Sequence, residues 1–360
     1  MTNSTDNNEM NARDERNEMM PAISVVMPIY NVEAFVAQAV QSVLDQTFED
    51  FELIIVNDCS PDASVSICRR FHDPRIKIVE HKMNRGLAAA RNTGILSARG
   101  HYMAFLDSDD FWHPHKLEKH KAHLDANPGV GVSFSRSAFV DPEGNPTRFY
   151  QMPRLTGITP DHLFCRNPVG NGSAPVIRKE VFKDICFFAD FMGETEIRFF
   201  DSDLRRSEDI ECWLRIALIT DWTIEGIPEP LTYYRLNAGG LSANLYQQLE
   251  SWETVADRTR RYRPTFVAEN YKYAKAYQLR YLSRQAIRLR DGREARNLFI
   301  ASLKCSLHPL KHELARTLLT GVAAHLLFIS PGLYRAIETQ ASTNIGKFQN
   351  RQIQRDIANA

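Results

Sequence analysis

Strands and helices alternate between residues 23 and 106, and this order restricts the fold more than any other feature of the sequence. Apolar, β-branched runs predict four strands, with helix-forming segments between them. The strand segments are ISVVMPIY (23–30), FELIIVND (51–58), RIKIVEH (75–81) and HYMAFLD (101–107). The order βαβαβαβ predicts an α/β domain with a parallel sheet, right-handed crossovers and helices on both faces.

Three of the predicted helices have expected start points. The segment VEAFVAQAVQSVLDQT (32–47) shows the spacing of a first helix. A second helix is expected to start at Ser60, as its N-cap, with Pro61 at the first helical position. The helix in GLAAARNTGILSARG is expected to begin at or just after Gly86. A later amphipathic helix, 207–220, has Ser207 as its predicted N-cap.

Polar residues follow three of the predicted strands, where a parallel sheet binds its ligands. They are Tyr30-Asn31, Asn57-Asp58 and Asp107-Ser108-Asp109. Three coincident strand ends predict one binding edge.

Asp107, Asp109 and Asp110 bring three carboxylates to the end of a buried strand. Close carboxylates repel each other, so we expect a positive partner. One interpretation is a divalent metal that joins Asp107 and Asp109 to a diphosphate. The alternative is an acidic turn that caps the next helix.

Asp58 and the segment NRGLAAARN (84–92) suggest contacts to a nucleotide. Asp58 could accept an N–H from a flat base such as uracil, although NDCSPD also fits an Asx turn and both can hold at once. Arg85 and Arg91 could bind phosphates near a helix N-terminus; the alternative is two surface arginines and a packing role for Gly86.

Glu208 and Asp209 open the helix at 207–220. Acids there are favoured by the helix dipole, which is a sufficient structural explanation. The functional interpretation is that Asp209 is a general base, and spacing does not separate the two.

Composition excludes several classes of protein. The 360 residues contain 44 Lys+Arg and 44 Asp+Glu, so no net field favours nucleic acid as a partner. Six scattered cysteines predict free thiols in a reducing compartment rather than a zinc site. No apolar stretch approaches the roughly 20 residues of a spanning helix. We therefore expect a cytoplasmic protein, at most peripheral on the cytoplasmic face of the membrane.

The chain divides into three predicted regions: a disordered leader (1–20), a catalytic domain (21–240) and a helical C-terminal region (241–360). Within the second, residues 141–200 are rich in Pro, Gly and aromatics, as in a loop-heavy acceptor region. In the third, residues 258–296 carry twelve Lys or Arg against three acids, and residues 314–334 are apolar. This tail is either a packed subdomain or a peripheral contact to an anionic membrane.

The combination of strings resembles the family 2 glycosyltransferases, which are inverting, nucleotide-sugar-dependent enzymes with a GT-A fold. The matching strings are SVVMPIYN (24–31), DQTFEDFELIIVND (45–58), NRGLAAARNTGI (84–95), HYMAFLDSDDFWHPHKL (101–117), SEDIECWLR (207–215) and PLTYYR (230–235). Together they cover most of residues 22–240.

The resemblance implies roles for individual residues. Pro28, Tyr30 and Asp58 would hold the nucleotide base. The remaining residues expected to bind the nucleotide sugar are Arg85, Arg91, Asp107 and Ser108. Asp107 and Asp109 would bind Mn²⁺ or Mg²⁺, with Asp109 the more direct ligand. Asp209, beside Glu208, would be the catalytic base.

The implied activity is transfer of a single sugar from a nucleotide-diphosphate sugar, with UDP the expected nucleotide. The acceptor would be a glycan or a lipid-linked glycan in bacterial exopolysaccharide or surface polysaccharide synthesis. The absence of a Q-x-x-R-W string in this sequence disfavours a processive synthase.

Two departures from the family pattern stand out. Cys59 replaces the glycine of D-D-G-S, and Asn237 replaces the histidine of Y-R-x-H. The alternatives are a non-catalytic nucleotide-sugar-binding protein and a nucleotidyltransferase. The second lacks support because VMPIYN stands where a Gly-rich triphosphate loop would follow strand one.

Overall fold

The four predicted strands form one half of a nine-stranded sheet in the computed structural model, which describes residues 20–237 and 244–359. With the two strands that lie outside this sheet, the strands of the described residues are β1 (Ile23–Ile29), β2 (Phe51–Asn57), β3 (Ile76–Glu80), β4 (Tyr102–Phe105), β5 (Phe111–Trp112), β6 (Val130–Val140), β7 (Pro146–Tyr150), β8 (Val176–Arg178), β9 (Phe187–Phe191), β10 (Glu194–Arg198) and β11 (Thr223–Arg235). β1, β2, β3 and β4 pair in parallel, in the order β3-β2-β1-β4. The predicted parallel sheet is confirmed.

The second half of the sheet is mixed. The order continues β8-β6-β11-β5, with β7 on β6, while β9 and β10 form a separate hairpin. β8 is antiparallel to both β4 and β6, and β11 runs parallel to β6. Insertion of the short β8 therefore keeps β6 and β11 in the direction of β4.

The helices flank this sheet and then form the C-terminal region. They are α1 (Val36–Leu44), α2 (Ser64–Cys68), α3 (Leu87–Ser97), α4 (Lys116–Ala126), α5 (Pro160–Cys165), α6 (Lys179–Ile185), α7 (Glu208–Ile219), α8 (Leu245–Tyr262), α9 (Pro264–Arg288), α10 (Gly292–Cys305), α11 (His308–His312), α12 (Leu314–Ile329) and α13 (Pro331–Ala358). The expected start of α3 after Gly86 is confirmed.

Of the two predicted serine caps, the one at Ser60 is wrong, and Ser207 is at the predicted N-cap position but makes no capping hydrogen bond with its side chain. α2 begins at Ser64, because Ser60 belongs to a turn in which its hydroxyl donates to Asp62 Oδ1 at 2.6 Å and accepts the Asn31 N–H. Ser207 does precede α7, but its φ is +62° and its side chain makes no capping hydrogen bond. The Ser60 hydroxyl thus serves a turn rather than the start of α2.

Two apolar cores lie on opposite faces of the sheet, as the unbroken apolar strands predicted. Neighbouring residues of β1 divide between them: Val26 packs in one core and Val25 in the other. The first core also takes Trp213 from α7 and Trp252 from α8. The C-terminal helices thus share a core with the sheet.

Most of the predicted leader and one of the predicted boundaries fall outside the described residues. The leader, apart from Met20, lies there, and so does the boundary placed at 240/241. From residue 245 the described chain is helical, as predicted, and in the described ranges no helix is both long and apolar enough to cross a membrane.

Candidate active site

The three polar strand ends meet at one edge of the sheet, as predicted. Ile29 at the end of β1 pairs with Asn57 at the end of β2, and the Asp58 N–H donates to the Ile29 carbonyl at 3.1 Å. On the other side of β1, the Ser108 hydroxyl donates to the Pro28 carbonyl at 2.8 Å. The turn after β4 is therefore fixed directly beside the end of β1.

Arg91 is the positive partner that the clustered carboxylates require. Its guanidinium donates to Asp107 Oδ1 and to Glu208 Oε1, both at 2.6 Å. Arg91 is 2% exposed and comes from α3, whereas Asp107 follows β4 and Glu208 opens α7. One buried guanidinium thus joins the D-x-D turn to the acid pair, and its predicted contact to a phosphate stays a prediction.

Asp109 lies in a less compensated environment than Asp107. Its Oδ2 accepts a hydrogen bond from the Asn237 amide at 2.9 Å, and Arg235 donates to its backbone carbonyl at 2.7 Å. Burial and the negative charge of Asp107 raise the pKa of Asp109 above its usual value. A cation at this carboxylate would lower that cost.

Asp110 is a structural acid. It is buried, and its two oxygens accept hydrogen bonds from the Arg235 N–H at 2.9 Å and the Ser173 hydroxyl at 2.6 Å. Burial, with Asp109 and Asp107 adding repulsion, raises the pKa of Asp110 well above its usual value. Asp110 anchors the 167–173 loop and the end of β11 to the D-x-D turn.

Asp209 is the better placed of the two acids of α7. Its Oδ1 accepts the Ile210 N–H at 2.8 Å and its Oδ2 accepts the Asn167 amide at 3.2 Å. Within the described residues it forms no ion pair, and it is only partly buried. Burial is the first cause that raises the pKa of Asp209, which makes it a stronger base.

Glu208 is buried and held by Arg91. Burial raises the pKa of Glu208 to about 7, although the Arg91 guanidinium opposes that rise. Because its carboxylate is ion-paired with Arg91, Glu208 helps to hold α7 beside the D-x-D turn and is less available than Asp209 to accept a proton from a substrate.

The loop at 167–173 was not assigned from the sequence. The Asp107 N–H donates to the Ser173 hydroxyl, and a Cβ added to Gly172 would lie 2.1 Å from Arg91 Nη2. The string PVGNGS, with two glycines and two polar side chains, is the signal that could have indicated it. The second missed residue is Asn237, which reaches Asp109 from the end of β11.

Asp58 binds the backbone at the start of α3. Its oxygens accept the N–H groups of Arg85 and Gly86, each at 2.8 Å, and Oδ1 lies 2.7 Å from His81 Nδ1. Gly86 has φ +88°, a conformation that favours glycine. Asp58 thus shapes the NRG turn, and its predicted contact to a base remains untested.

Arg85 and Tyr30 line the same edge. Arg85 donates to Glu196 at 2.5 Å and lies over the Phe191 ring, 4.0 Å from its centroid, yet its buried Nε has no hydrogen-bond partner. Tyr30 is 49% exposed. Both side chains are available to a bound molecule.

The residues at the edge fit a divalent cation. Mg²⁺ and Mn²⁺ prefer oxygen ligands, and Asp107 and Asp109 offer two carboxylates whose repulsion a cation would relieve. Among the described residues, no three His, Cys, Asp or Glu side chains converge to hold an ion. An ion bound here would need further oxygens from a ligand.

The sheet and its carboxylate-lined edge are those of the GT-A class of glycosyltransferases. A mannosyltransferase of Pyrobaculum calidifontis, solved with GDP-Man and Mn²⁺, has a TM-score of 0.55 at 19% identity; the match covers 92% of this chain and 88% of that one. Staphylococcus aureus TarS 1–349 with UDP-GlcNAc gives 0.53 at 18% identity, over 84% and 89% of the two chains. These likenesses establish the fold.

The sequence relatives establish the family. The model for Glycosyl transferase family 2 matches residues 24–186. TuaG of Bacillus subtilis, named for teichuronic acid biosynthesis, is 31% identical over 230 residues, which are 63% of this chain and 84% of TuaG. WfgD of Escherichia coli, a UDP-Glc:α-D-GlcNAc-diphosphoundecaprenol β-1,3-glucosyltransferase, is 26% identical over 236 residues, 65% of this chain and 85% of WfgD. The chain belongs to glycosyl transferase family 2 and is a glycosyltransferase, as its resemblance implied.

Proposed function

We propose that the enzyme transfers one sugar, with inversion, from a UDP-sugar to a glycan or lipid-linked glycan during bacterial exopolysaccharide or surface polysaccharide synthesis. The observation that carries this proposal is the bridge from Asp107 through Arg91 to Glu208. It holds the D-x-D turn and the α7 acids at one cleft. A donor diphosphate and an acceptor hydroxyl would therefore meet there.

The donor would lie along the ends of β1 and β2. Tyr30 offers an exposed ring beside Pro28. Asp58 accepts three hydrogen bonds, and a carboxylate has about four acceptor sites, so one remains for an N–H of the base. Arg85 Nε, buried without a partner, supplies a donor for a phosphate oxygen.

The D-x-D turn would manage the charge of the diphosphate. A Mn²⁺ or Mg²⁺ held by Asp107 and Asp109 would neutralise the charge that develops on the leaving group. Arg91 fixes the Asp107 carboxylate in one orientation, and Ser108 ties the turn to β1. The chain thus presents its carboxylates in a preorganised arrangement.

Asp209 would activate the acceptor. Its carboxylate takes the proton of the acceptor hydroxyl as that oxygen forms a bond to the anomeric carbon. The bond from that carbon to the diphosphate oxygen breaks on the opposite side, which inverts the configuration. Asn167 and the Ile210 N–H hold the carboxylate in place.

The names of the relatives support the proposed pathway and substrates. TuaG is named for teichuronic acid biosynthesis, and WfgD for a UDP-Glc donor and a diphosphoundecaprenol-linked acceptor. The solved neighbours bind UDP-GlcNAc and, with Mn²⁺, GDP-Man. UDP is preferred here because WfgD, which is named for a UDP-Glc donor, is 26% identical over its match, whereas the mannosyltransferase solved with GDP-Man is 19% identical.

The C-terminal helices would place the enzyme on the cytoplasmic face of an anionic membrane. α12 exposes Leu318, Leu319 and Val322 at 50%, 71% and 64%. Arg316 on the same helix is exposed, and Arg296 lies over the Phe328 ring, so positive charge borders the apolar face. That pairing favours an interfacial contact.

A donor screen tests the proposed activity. The full chain is incubated with nucleotide sugars and Mn²⁺, with and without EDTA, and nucleotide release is measured. We expect release from a UDP-sugar that EDTA abolishes. Binding of a nucleotide sugar without turnover would instead indicate a non-catalytic binding protein. Pyrophosphate release from a nucleoside triphosphate would indicate a nucleotidyltransferase.

A further inference from the structure

Three arginines gather around a single carboxylate where the end of α5 meets α9 and α12, and a fourth stands one turn away on α9. The Glu313 carboxylate accepts hydrogen bonds from Arg166 and Arg280, and Arg316 Nη1 lies 3.8 Å from it. Arg284 stands one turn after Arg280 on α9 and, within the described residues, forms no ion pair. We call Arg166, Arg280, Arg284 and Arg316 the arginine cluster.

The positive charge of the arginine cluster is not compensated. Burial lowers the pKa of Arg166 to about 9, and repulsion from Arg280 and Arg316 adds to the shift. Arg284 is exposed on α9, has Arg288 and Arg316 as charged neighbours, and adds a further positive charge beside the cluster's carboxylate. Three guanidinium groups therefore face one carboxylate, with a fourth one turn away, an arrangement that an anion would stabilise.

The arginine cluster is preorganised. The guanidinium groups of Arg166 and Arg280 lie over the Tyr277 ring, 4.9 and 5.1 Å from its centroid. Arg280 also donates to the Thr317 hydroxyl, which ties α9 to α12. Fixed guanidinium planes match the bidentate geometry of phosphate oxygens.

The position of the arginine cluster connects it to the acceptor side of the active site. Arg166 directly precedes Asn167, whose amide holds Asp209. On its other side, Arg316 belongs to α12, whose exposed apolar residues include Leu318 and Leu319. A ligand with an anionic centre could bind the arginine cluster and lay an apolar tail along α12. The part of the ligand opposite the tail would then extend toward Asn167 and Asp209.

We propose that the arginine cluster binds the diphosphate of a lipid-linked acceptor, with the lipid chain along α12 and the acceptor sugar toward Asp209. This inference rests on the proposed function and names the chemical class of its acceptor. A diphosphate fits better than a phospholipid head group, because the cluster is partly buried and offers more positive charge than one phosphate needs.

Binding of farnesyl diphosphate to the full chain tests this proposal, with titration calorimetry in EDTA as the measurement and farnesol as the uncharged control. The double variant Arg284→Gln/Arg316→Gln is compared with Arg293→Gln/Lys304→Gln, which removes the same charge from exposed positions on α10. Melting temperatures confirm that each variant is folded. We expect the first pair to weaken binding at least about tenfold and the second to leave it unchanged.

The other outcomes would overturn the proposal. These are no binding by the wild type, equal binding of farnesol, or equal loss in both double variants. Competition between UDP and farnesyl diphosphate in the same buffer would instead move the ligand to the donor edge. If a short-chain, water-soluble phosphatidylglycerol binds as tightly as farnesyl diphosphate and the first pair weakens both equally, the cluster serves a head group. Failure of the proposed activity looks different: farnesyl diphosphate binds normally, but no nucleotide sugar is turned over.

Discussion

Asp107, Asp109 and Asp110 share one short turn but have three different environments. Asp107 is ion-paired to Arg91, Asp109 is held by the Asn237 amide, and Asp110 is buried in a hydrogen-bonded anchor. Of the three, Asp109 is the carboxylate that is neither ion-paired like Asp107 nor fully buried like Asp110, so it is the one open to a cation. The residue-scale predictions follow from that difference.

Substitution Asp109→Ala should abolish transfer and leave the fold intact. It removes a proposed metal ligand and relieves the repulsion that, with burial, raises the pKa of Asp109. Nucleotide release and thermal melting are the measurements, and Asp221→Ala at an exposed position is the control. Full activity with an unchanged melting temperature would remove Asp109 from the metal site.

Substitution Asp209→Asn should lower kcat by about two to four orders of magnitude, the usual cost of a lost general base. Donor binding and the melting temperature should change little, because Asp209 forms no ion pair within the described residues. Glu208→Gln should mainly destabilise the protein, by on the order of 3 kcal/mol, since it leaves the buried Arg91 with a weaker partner. Normal turnover by Asp209→Asn with loss in Glu208→Gln would assign the base to Glu208.

The pH dependence of kcat follows from the same residue. A base acts only when deprotonated, so activity should fall as the pH drops through the Asp209 pKa. Because burial raises that pKa, the acidic limb should lie above the usual aspartate range. The limb should vanish in Asp209→Asn, and an unchanged limb there would identify another titrating group.

At the scale of elements, the sequence predicted the strand ends better than the loops between them. β1 and β2 are apolar runs of seven residues, and the four residues of β4 are followed by the apolar Leu106, so their carboxyl edge could be placed from pattern alone. β8 has three residues and was absorbed into a region predicted only as loop-rich. Its position depends on antiparallel pairing with strands far away in sequence, which no local pattern reports.

The same limit applies to the site. The clustered carboxylates predicted a positive partner for Asp107. The sequence pattern indicated a phosphate contact for Arg91, whereas in the structure Arg91 pairs with Asp107 and Glu208. Glu208 lies 117 positions away, so only the fold brings it to Arg91. Asn167 and Ser173 act through a loop whose path the sequence leaves undetermined. By contrast, the start of α3 at Gly86 follows from local chemistry and was predicted.

Substitution Gly172→Ala tests the close approach of the 167–173 loop. An added Cβ would lie 2.1 Å from Arg91 Nη2 and 2.8 Å from Asp107 Oδ2, so either the loop or the ion pair must shift. We expect at least about a tenfold loss of kcat, since small displacements of catalytic groups are costly. Gly129→Ala, which meets nothing within 4 Å, is the matched control. Wild-type turnover by Gly172→Ala would show that the loop does not set the site.

At the scale of the whole molecule, the C-terminal helices are a packed region, and the proposed membrane contact is compatible with that packing. Trp252 and Val267 lie in the core shared with the sheet, so the region is packed. Five of its twelve basic residues between 258 and 296 are paired with acids: Arg258, Arg260, Lys275, Arg280 and Arg290. Yet the outer face of α12 stays apolar and exposed, which leaves a surface for a membrane.

Vesicle sedimentation tests that surface. The full chain should bind anionic vesicles at low salt and release them at high salt, because each basic residue near the surface contributes about 1 kcal/mol. Leu319→Glu/Val322→Glu should weaken binding, whereas Leu96→Glu, at a 60% exposed site on α3, should not. Point variants are preferred to deletion of 245–360, which would open the shared core. Retention of wild-type protein in the supernatant at low salt would refute the membrane contact.

The central claim is a single displacement at the edge where Asp107, Asp109 and Asp209 meet. It is tested most directly by the anomeric configuration of the transferred sugar. The donor found in the nucleotide-release screen is supplied with Mn²⁺ and an acceptor, and the new linkage is assigned by proton NMR. The account predicts that an α-linked donor gives a β-linked product, and that Asp209→Asn forms almost none. An α-linked product would contradict it, because retention requires a different mechanism.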